Sequence, residues 1–142
     1  MVVRVKIKII CKDKLVETIG LLNSGYESET PQILIPVELA KVIGLWPDLE
    51  NAEETEFETA GGPLKVWIIP RACRVTVLTE DTHSPEIEGD IVISPMADEV
   101  LISDKMISEL LIVLEDVGRG LWRFRWEPPE KLRRGYPPKY WK

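Results

Sequence analysis

The stretch IGLLNSGYES, Ile19 to Ser28, runs from apolar residues into a small polar triplet, Asn23-Ser24-Gly25. An apolar segment with that ending reads as a buried strand that turns sharply. Asn and Ser side chains bond to nearby backbone, and Gly accepts the dihedral angles of a tight turn. The rest of the chain reads outward from this point. Upstream, Val3, Val5, Ile7 and Ile9 alternate with Arg4, Lys6 and Lys8, the period of a half-buried strand. Lys12-Asp13-Lys14 is a polar turn, so LVETIGLL, ending at Leu22, is the second arm of a hairpin.

Downstream, QILIP (Gln32 to Pro36) is a short apolar strand. A helix is expected at about 36 to 43. Pro36 suits its first position, Gly44 its end, and Val37, Ala40, Val42 and Ile43 supply an apolar stripe. TEFETAGGPLKVWII reads as strand, turn and strand. Gly61 and Gly62 supply the turn, and Pro63 is out of place in the middle of a sheet. CRVTVL, IEGDIVIS and EVLIS continue the β pattern. Ser103 is a good N-cap for a helix DKMISELL, with Asp104 in its first turn. IVLED, VGRG and LWRFRW make a last strand, turn and strand, and the prolines at 128, 129, 137 and 138 mark an extended tail. Many short strands, two short helices and no repeat predict an all-β, closed or partly closed barrel.

Composition bounds the function. The 142 residues suffice for one domain with a real core. No apolar run is long enough to span a bilayer, and the N-terminus lacks the continuous apolar stretch of a signal peptide, so a cytoplasmic protein is expected. Two cysteines, Cys11 and Cys73, make no disulfide framework and read as ordinary thiols. With His83 the one histidine, no set of soft metal ligands and no cofactor is expected. Gln32, Asn23 and Asn51 are the only uncharged amides beside many Glu, Lys and Arg, which leans toward a thermophile's composition. The net charge of -6 speaks against bulk nucleic-acid binding. Charge is uneven: Leu49 to Glu58 is acidic, while the tail from Arg119 onward is basic and holds three of the five Trp. The tail is read as an arm packing on its own domain or on a partner. Its removal is expected to cost solubility or dimer stability more than the barrel fold.

The order of these pieces resembles the retropepsins, the single-domain aspartic proteases related to retroviral proteases. The residues that carry the resemblance are GLLNSGYES, FETAGGPLKVW and GDIVISPMADEVLISDKMISELLIVLE. They match the family's strand hairpin, its apolar-apolar-Asp-Thr/Ser-Gly-Ala loop, its glycine-tipped flap, and the later strand and helix. The resemblance covers about residues 2 to 116. It implies a retropepsin-like domain over 1–118, with a C-terminal strand and tail over 119–142. It also implies a site built on Asn23, Ser24 and Gly25, a substrate-covering flap tipped by Ala60, Gly61 and Gly62, and a peptide or protein substrate. The family pairs two such triplets across a two-fold axis, so that two carboxylates share one proton and divide general-base and general-acid work. This chain carries one triplet, which implies a homodimer. Asp81-Thr82 does not supply a second, because His83 stands where Gly belongs.

Three positions depart from the family pattern. Asn23 occupies the place of the catalytic Asp, Tyr26 replaces the usual Ala, and Ser103 replaces a usual Gly. An amide has no titratable proton near neutral pH, so the chain as written is expected to be inactive. A natural pseudoenzyme carries such an Asn, and so does a protease altered to leave its substrate intact. The alternative function is a catalytically silent peptide-binding or scaffold dimer.

Overall fold

The computed structural model describes residues 2–49 and 51–142; Met1 of the N-terminal stretch and Glu50 of the acidic stretch lie outside it. The two arms of the first hairpin are β1 (Arg4–Cys11) and β2 (Lys14–Leu22). Burial in β1 alternates strictly, with Val5, Ile7, Ile9 and Cys11 pointing inward, as the period-two pattern predicts. The chain continues through β3 (Gln32–Pro36), α1 (Val37–Val42), β4 (Glu53–Thr59) and β5 (Gly62–Leu78). It then forms β6 (Ile87–Ser94), β7 (Val100–Ile102), α2 (Asp104–Glu109), β8 (Ile112–Asp116), β9 (Leu121–Phe124) and β10 (Arg133–Arg134). A short 3-10 helix, Val117–Arg119, links β8 to β9.

Six strands close an all-β barrel in the order β1-β2-β7-β3-β6-β5, with β5 returning to β1. Closure removes the free edges that an open sheet of these apolar strands would expose. Two pairings in it are parallel, β2 with β7 and β3 with β6, while β7 and β3 run antiparallel. β7 is therefore threaded between the strand that enters the Asn23 triplet and the strand that follows it. The seventeen residues of β5 serve two structures. Their first half pairs with β4 in a hairpin standing off the barrel, and their second half pairs with β1. The register against β6 shifts between Ile69 and Cys73, where Arg71 has a φ of 50°. That bulge is the bend between the two halves.

Two local expectations need correction. Pro36 stands one residue outside α1 as its N-cap. The buried face of α1 is Leu39 and Ala40, followed by Ile43, while Val42 is exposed. Gly44 ends this helix as expected: its φ is 77°, its N–H meets the Lys41 carbonyl, and the Leu45 N–H reaches the Ala40 carbonyl at 2.8 Å. Pro63 does lie inside β5. It faces Glu58 of β4, at a point before β5 meets β6, so its missing N–H interrupts no second ladder.

The tail folds back on its own barrel. Arg133 makes a two-pronged pair with Asp81 at 2.9 and 3.1 Å and also bonds Glu127, whose side chain is 8% exposed. Its guanidinium also lies 5.8 Å from the ring centre of Trp122 and 5.6 Å from that of Phe124, both buried. Trp126 stacks on Phe124 at 4.4 Å. Further along, the Tyr136 N–H donates to the Arg4 carbonyl, and the Trp141 indole N–H donates to Thr18 Oγ1 at 3.0 Å. The β8–β9 ladder crosses residue 118, and Trp122 and Phe124 belong to the same core as β1. Arg133, Trp122, Phe124 and Trp126 of this segment are thus packed against one another within the chain, while Tyr136 and Tyr140 stay exposed. No helix among the described residues is long and apolar enough to cross a membrane.

Candidate functional site

The Asn23 loop is placed by the parallel β2–β7 ladder, in which Leu22 lies opposite Ile102. The Asn23 N–H continues that ladder by donating to the Ile102 carbonyl at 3.0 Å. The chain then reverses: the Tyr26 N–H donates to the Asn23 carbonyl at 3.0 Å, and the Gly25 N–H donates to Asn23 Oδ1 at 3.1 Å. This is the side-chain-to-backbone turn that the Asn-Ser-Gly triplet encodes. Asn23 is half-buried, while Ser24 and Gly25 are exposed at the rim of the barrel. With Oδ1 engaged, the Asn23 amide presents its NH₂ donors and no proton that can be removed near neutral pH.

α2 braces the loop from behind. The Asp104 N–H donates to the Tyr26 carbonyl at 2.8 Å, and Asp104 Oδ1 accepts from the Ser28 N–H at 3.1 Å. Ser103 is fully buried and does two jobs with one oxygen. Its Oγ accepts from the Gln32 N–H of β3 at 3.0 Å and from the Met106 N–H of α2 at 3.3 Å. The capping role was legible in the sequence; the bond to β3 was not, because it joins residues 71 apart in the chain. Ser103→Ala is expected to lose the cap and strand the Gln32 N–H, together about 2 kcal/mol. At roughly 3 °C per kcal/mol for a chain of this size, the melting midpoint falls by about 6 °C. Thermal unfolding followed by circular dichroism checks this; an unchanged midpoint would contradict the double role.

Tyr26 is the side chain that gives the site its shape. Its hydroxyl donates to Gln32 Oε1 at 2.8 Å, and its ring packs edge-on to Phe57 of β4 at 6.2 Å. Burial, and secondarily the Asp90 carboxylate, hold the Tyr26 phenol well above its ordinary range, so it stays a neutral donor. Asp90 is itself buried and fully engaged: it accepts from Thr30 Oγ1 at 2.6 Å and from the Arg71 N–H at 2.8 Å. Gln32 Nε2 reaches Asp90 Oδ2 at 3.5 Å, so a Tyr26–Gln32–Asp90 chain ties the floor of the site to the bulge in β5.

Between the Asn23 loop and the β4–β5 hairpin lies a cleft of about 510 Å³. Gly25 and Tyr26 form one wall, Phe57 and Thr59 the other, and Leu34 and Leu101 contribute apolar surface. The hairpin tip is the two-residue turn Ala60-Gly61, since Thr59 pairs with Gly62, whose φ is 107°. The Thr59 hydroxyl crosses that turn, donating to the Gly62 carbonyl at 2.6 Å and accepting from the Gly61 N–H. Ala60, Gly61 and Gly62 are not among the lining residues; the strand just behind the tip is. Of the residues singled out in the sequence, Gly25 and Tyr26 reach the cleft, Asn23 and Ser24 stand beside them in the same turn, and the tip extends beyond. Phe57 and Leu101 were not singled out. The one signal for Phe57 was its place as the aromatic residue within the acidic run of β4.

Among the described residues, no group of three His, Cys, Asp or Glu side chains is placed to hold a metal ion. His83 is exposed in the loop before β6, far along the chain from the triplet. Asp81, in the same loop, is committed to Lys131 and Arg133. No protein-family model and no curated protein matches the chain.

Proposed function

We propose that this chain is a retropepsin-like protein that works as a homodimer, with the Asn23 loops of two subunits meeting on a two-fold axis and an extended peptide held beneath the β4–β5 hairpin. The observation that carries the reading is one cleft with Gly25 and Tyr26 of the Asn23 loop on one wall and Phe57 and Thr59 of the hairpin on the other. Thr59, Phe57 and Tyr26 give that cleft apolar and hydrogen-bonding surface, and Glu27, Glu56 and Glu58 also line it, which suits an extended peptide with apolar and basic side chains. The Ala60-Gly61 tip and the positive φ of Gly62 make the hairpin the element that closes over such a ligand.

With an amide at position 23 the dimer binds and does not hydrolyse, because neither subunit offers a general base. Three features support the endopeptidase ancestry: the turn is formed, it is braced by α2, and Gly25 already donates to the oxygen that a carboxylate would present. Asn23→Asp with a peptide-cleavage assay tests the endopeptidase reading. The second reading, a silent peptide-binding or scaffold dimer, is favoured by the same amide. It takes over if the Asp form dimerises and cleaves nothing.

A further inference from the structure

The only two cysteines of the chain, about sixty residues apart in sequence, meet in the folded barrel. The β1–β5 ladder pairs Lys6 with Leu78 and ends at Ile10 opposite Arg74. One step further in the same antiparallel register places Cys11 opposite Cys73. Directly opposed residues of an antiparallel pair have Cα atoms about 4.5–5.5 Å apart, inside the range of about 4.4–6.8 Å that a disulfide spans. Both side chains point inward, continuing the buried rows Val5-Ile7-Ile9 and Val75-Val77. Their exposures are 2% and 3%. Both thiols are free. They nonetheless line a cavity of about 590 Å³ at this end of the barrel, together with Ile10, Lys12, Ile43 and Ile69. This end is the opposite one from the Asn23 loop: β2 runs the length of the barrel between them, on the order of 25 Å.

We propose that Cys11 and Cys73 form a reversible intramolecular disulfide that staples the β1–β5 seam, the contact that closes the barrel, when a peroxide enters the cavity. The two sulfurs have unequal roles. The hydrogen bond from Cys73 holds the Cys11 thiol below its ordinary range, although burial opposes this. The same bond, and burial, push Cys73 well up. The Cys73 thiol is also tied to the Gly89 carbonyl at 3.4 Å, whereas Cys11 ends β1 beside the polar turn, so Cys11 is the attacking thiolate. It displaces hydroxide from the peroxide O–O bond and becomes a sulfenic acid. The Cys73 sulfur then attacks the Cys11 sulfur, the S–S bond forms, and water leaves. Two thiols lose two electrons and two protons, and one hydrogen peroxide becomes two waters. Neither step involves the Asn23 cleft, so the proposal stands apart from the reading of that site.

The test is to treat the native chain with dilute hydrogen peroxide, denature it in an alkylating reagent and map its peptides by mass spectrometry. The expected result is a cross-linked pair of peptides carrying Cys11 and Cys73, no alkylation of either, and full recovery of both thiols on reduction. The oxidised form should melt up to roughly 10 °C higher, because the loop it closes is long. Cys73→Ser should stop the reaction at a trappable sulfenic acid on Cys11. Both cysteines still alkylated, each oxidised separately to sulfinic acid, or a disulfide between two chains would each overturn the proposal. These readouts on the native chain do not depend on how well the variant folds.

Discussion

Asn23→Asp is expected, on the proposed reading, to give the chain peptidase activity with an acidic optimum. The substitution changes one NH₂ for one oxygen and keeps the Oδ1 that accepts from the Gly25 N–H, so the turn itself survives. What it adds is a proton site. Across the proposed two-fold axis two carboxylates stand close together and cannot both ionise readily, so one holds a proton while the other accepts one from water. General acid–base work of this kind is worth roughly 10²–10⁴-fold. Activity should therefore be measurable between about pH 3 and 6 and should fall as the second carboxyl ionises. Dimerisation should acquire the same dependence. Facing charges raise a carboxyl's pKa in the dimer above its value in the separated subunit, so dimer stability is fully present at low pH and is lost as pH rises through the raised value. The proposed dimer of the Asn23 form should show no such loss over that range. Cleavage of an unfolded protein substrate, with a transition-state mimic of peptide hydrolysis as inhibitor, measures the activity. A dimeric Asp form that cleaves nothing at any of these pH values would leave the scaffold reading in its place.

Removing residues 127–142 is expected to destabilise the barrel itself. The sequence places this segment outside the stretch that resembles a known family, and by that reading its loss costs solubility or dimer stability more than the barrel fold. Its contacts within the chain add a cost to the barrel. Truncation deletes Glu127 and Arg133, uncovers Trp122 and Phe124, and removes the Trp141 indole from Thr18. The lost apolar cover and cation–π contacts amount to roughly 4 kcal/mol, or about a 12 °C fall in melting midpoint. Differential scanning calorimetry of the truncated chain measures it, and an unchanged midpoint would show the arm to be an appendage. Acid should loosen the same arm. Arg133 holds both Asp81 and Glu127 below the ordinary carboxylate range. Their contribution is thus present above about pH 4 and is lost as pH falls through their lowered values. Protease cutting within 128–140 should then appear only at strongly acid pH.

Much of the barrel was legible because its signals are local. The alternation in β1, the polar turn after it, and the Ser103 cap each lie within a few residues and each formed as read. The closed order of strands was expected only as a class. Parallel pairing of β2 with β7 and β3 with β6 depends on residues some 60 to 80 positions apart, which no periodicity reports. Val42 shows the limit on a short helix: with six residues in α1, two apolar stripes fit the sequence equally well, and packing of Leu39 and Ile43 decides between them. At the site, the Asn23 turn was visible from residue types alone. The sequence marks Tyr26 only as a departure from the usual Ala; its role as a link from the cleft to Asp90 is a tertiary fact. The two cysteines read in the sequence as ordinary thiols, since nothing in their spacing says that β1 and β5 share a register.

The pairing of two Asn23 loops is tested most directly by sedimentation equilibrium of the native chain beside its Ser24→Arg form at micromolar concentration. Ser24 is exposed at the tip of the turn and, in a two-fold dimer, faces its own copy, so two arginines there would set like charges and bulk against each other. The native chain is expected at twice the 16.2 kDa chain mass and the Ser24→Arg form at the single-chain mass, with matching circular dichroism. A native chain that sediments at 16.2 kDa, or a Ser24→Arg form that stays dimeric, would contradict a site assembled from two Asn23 loops.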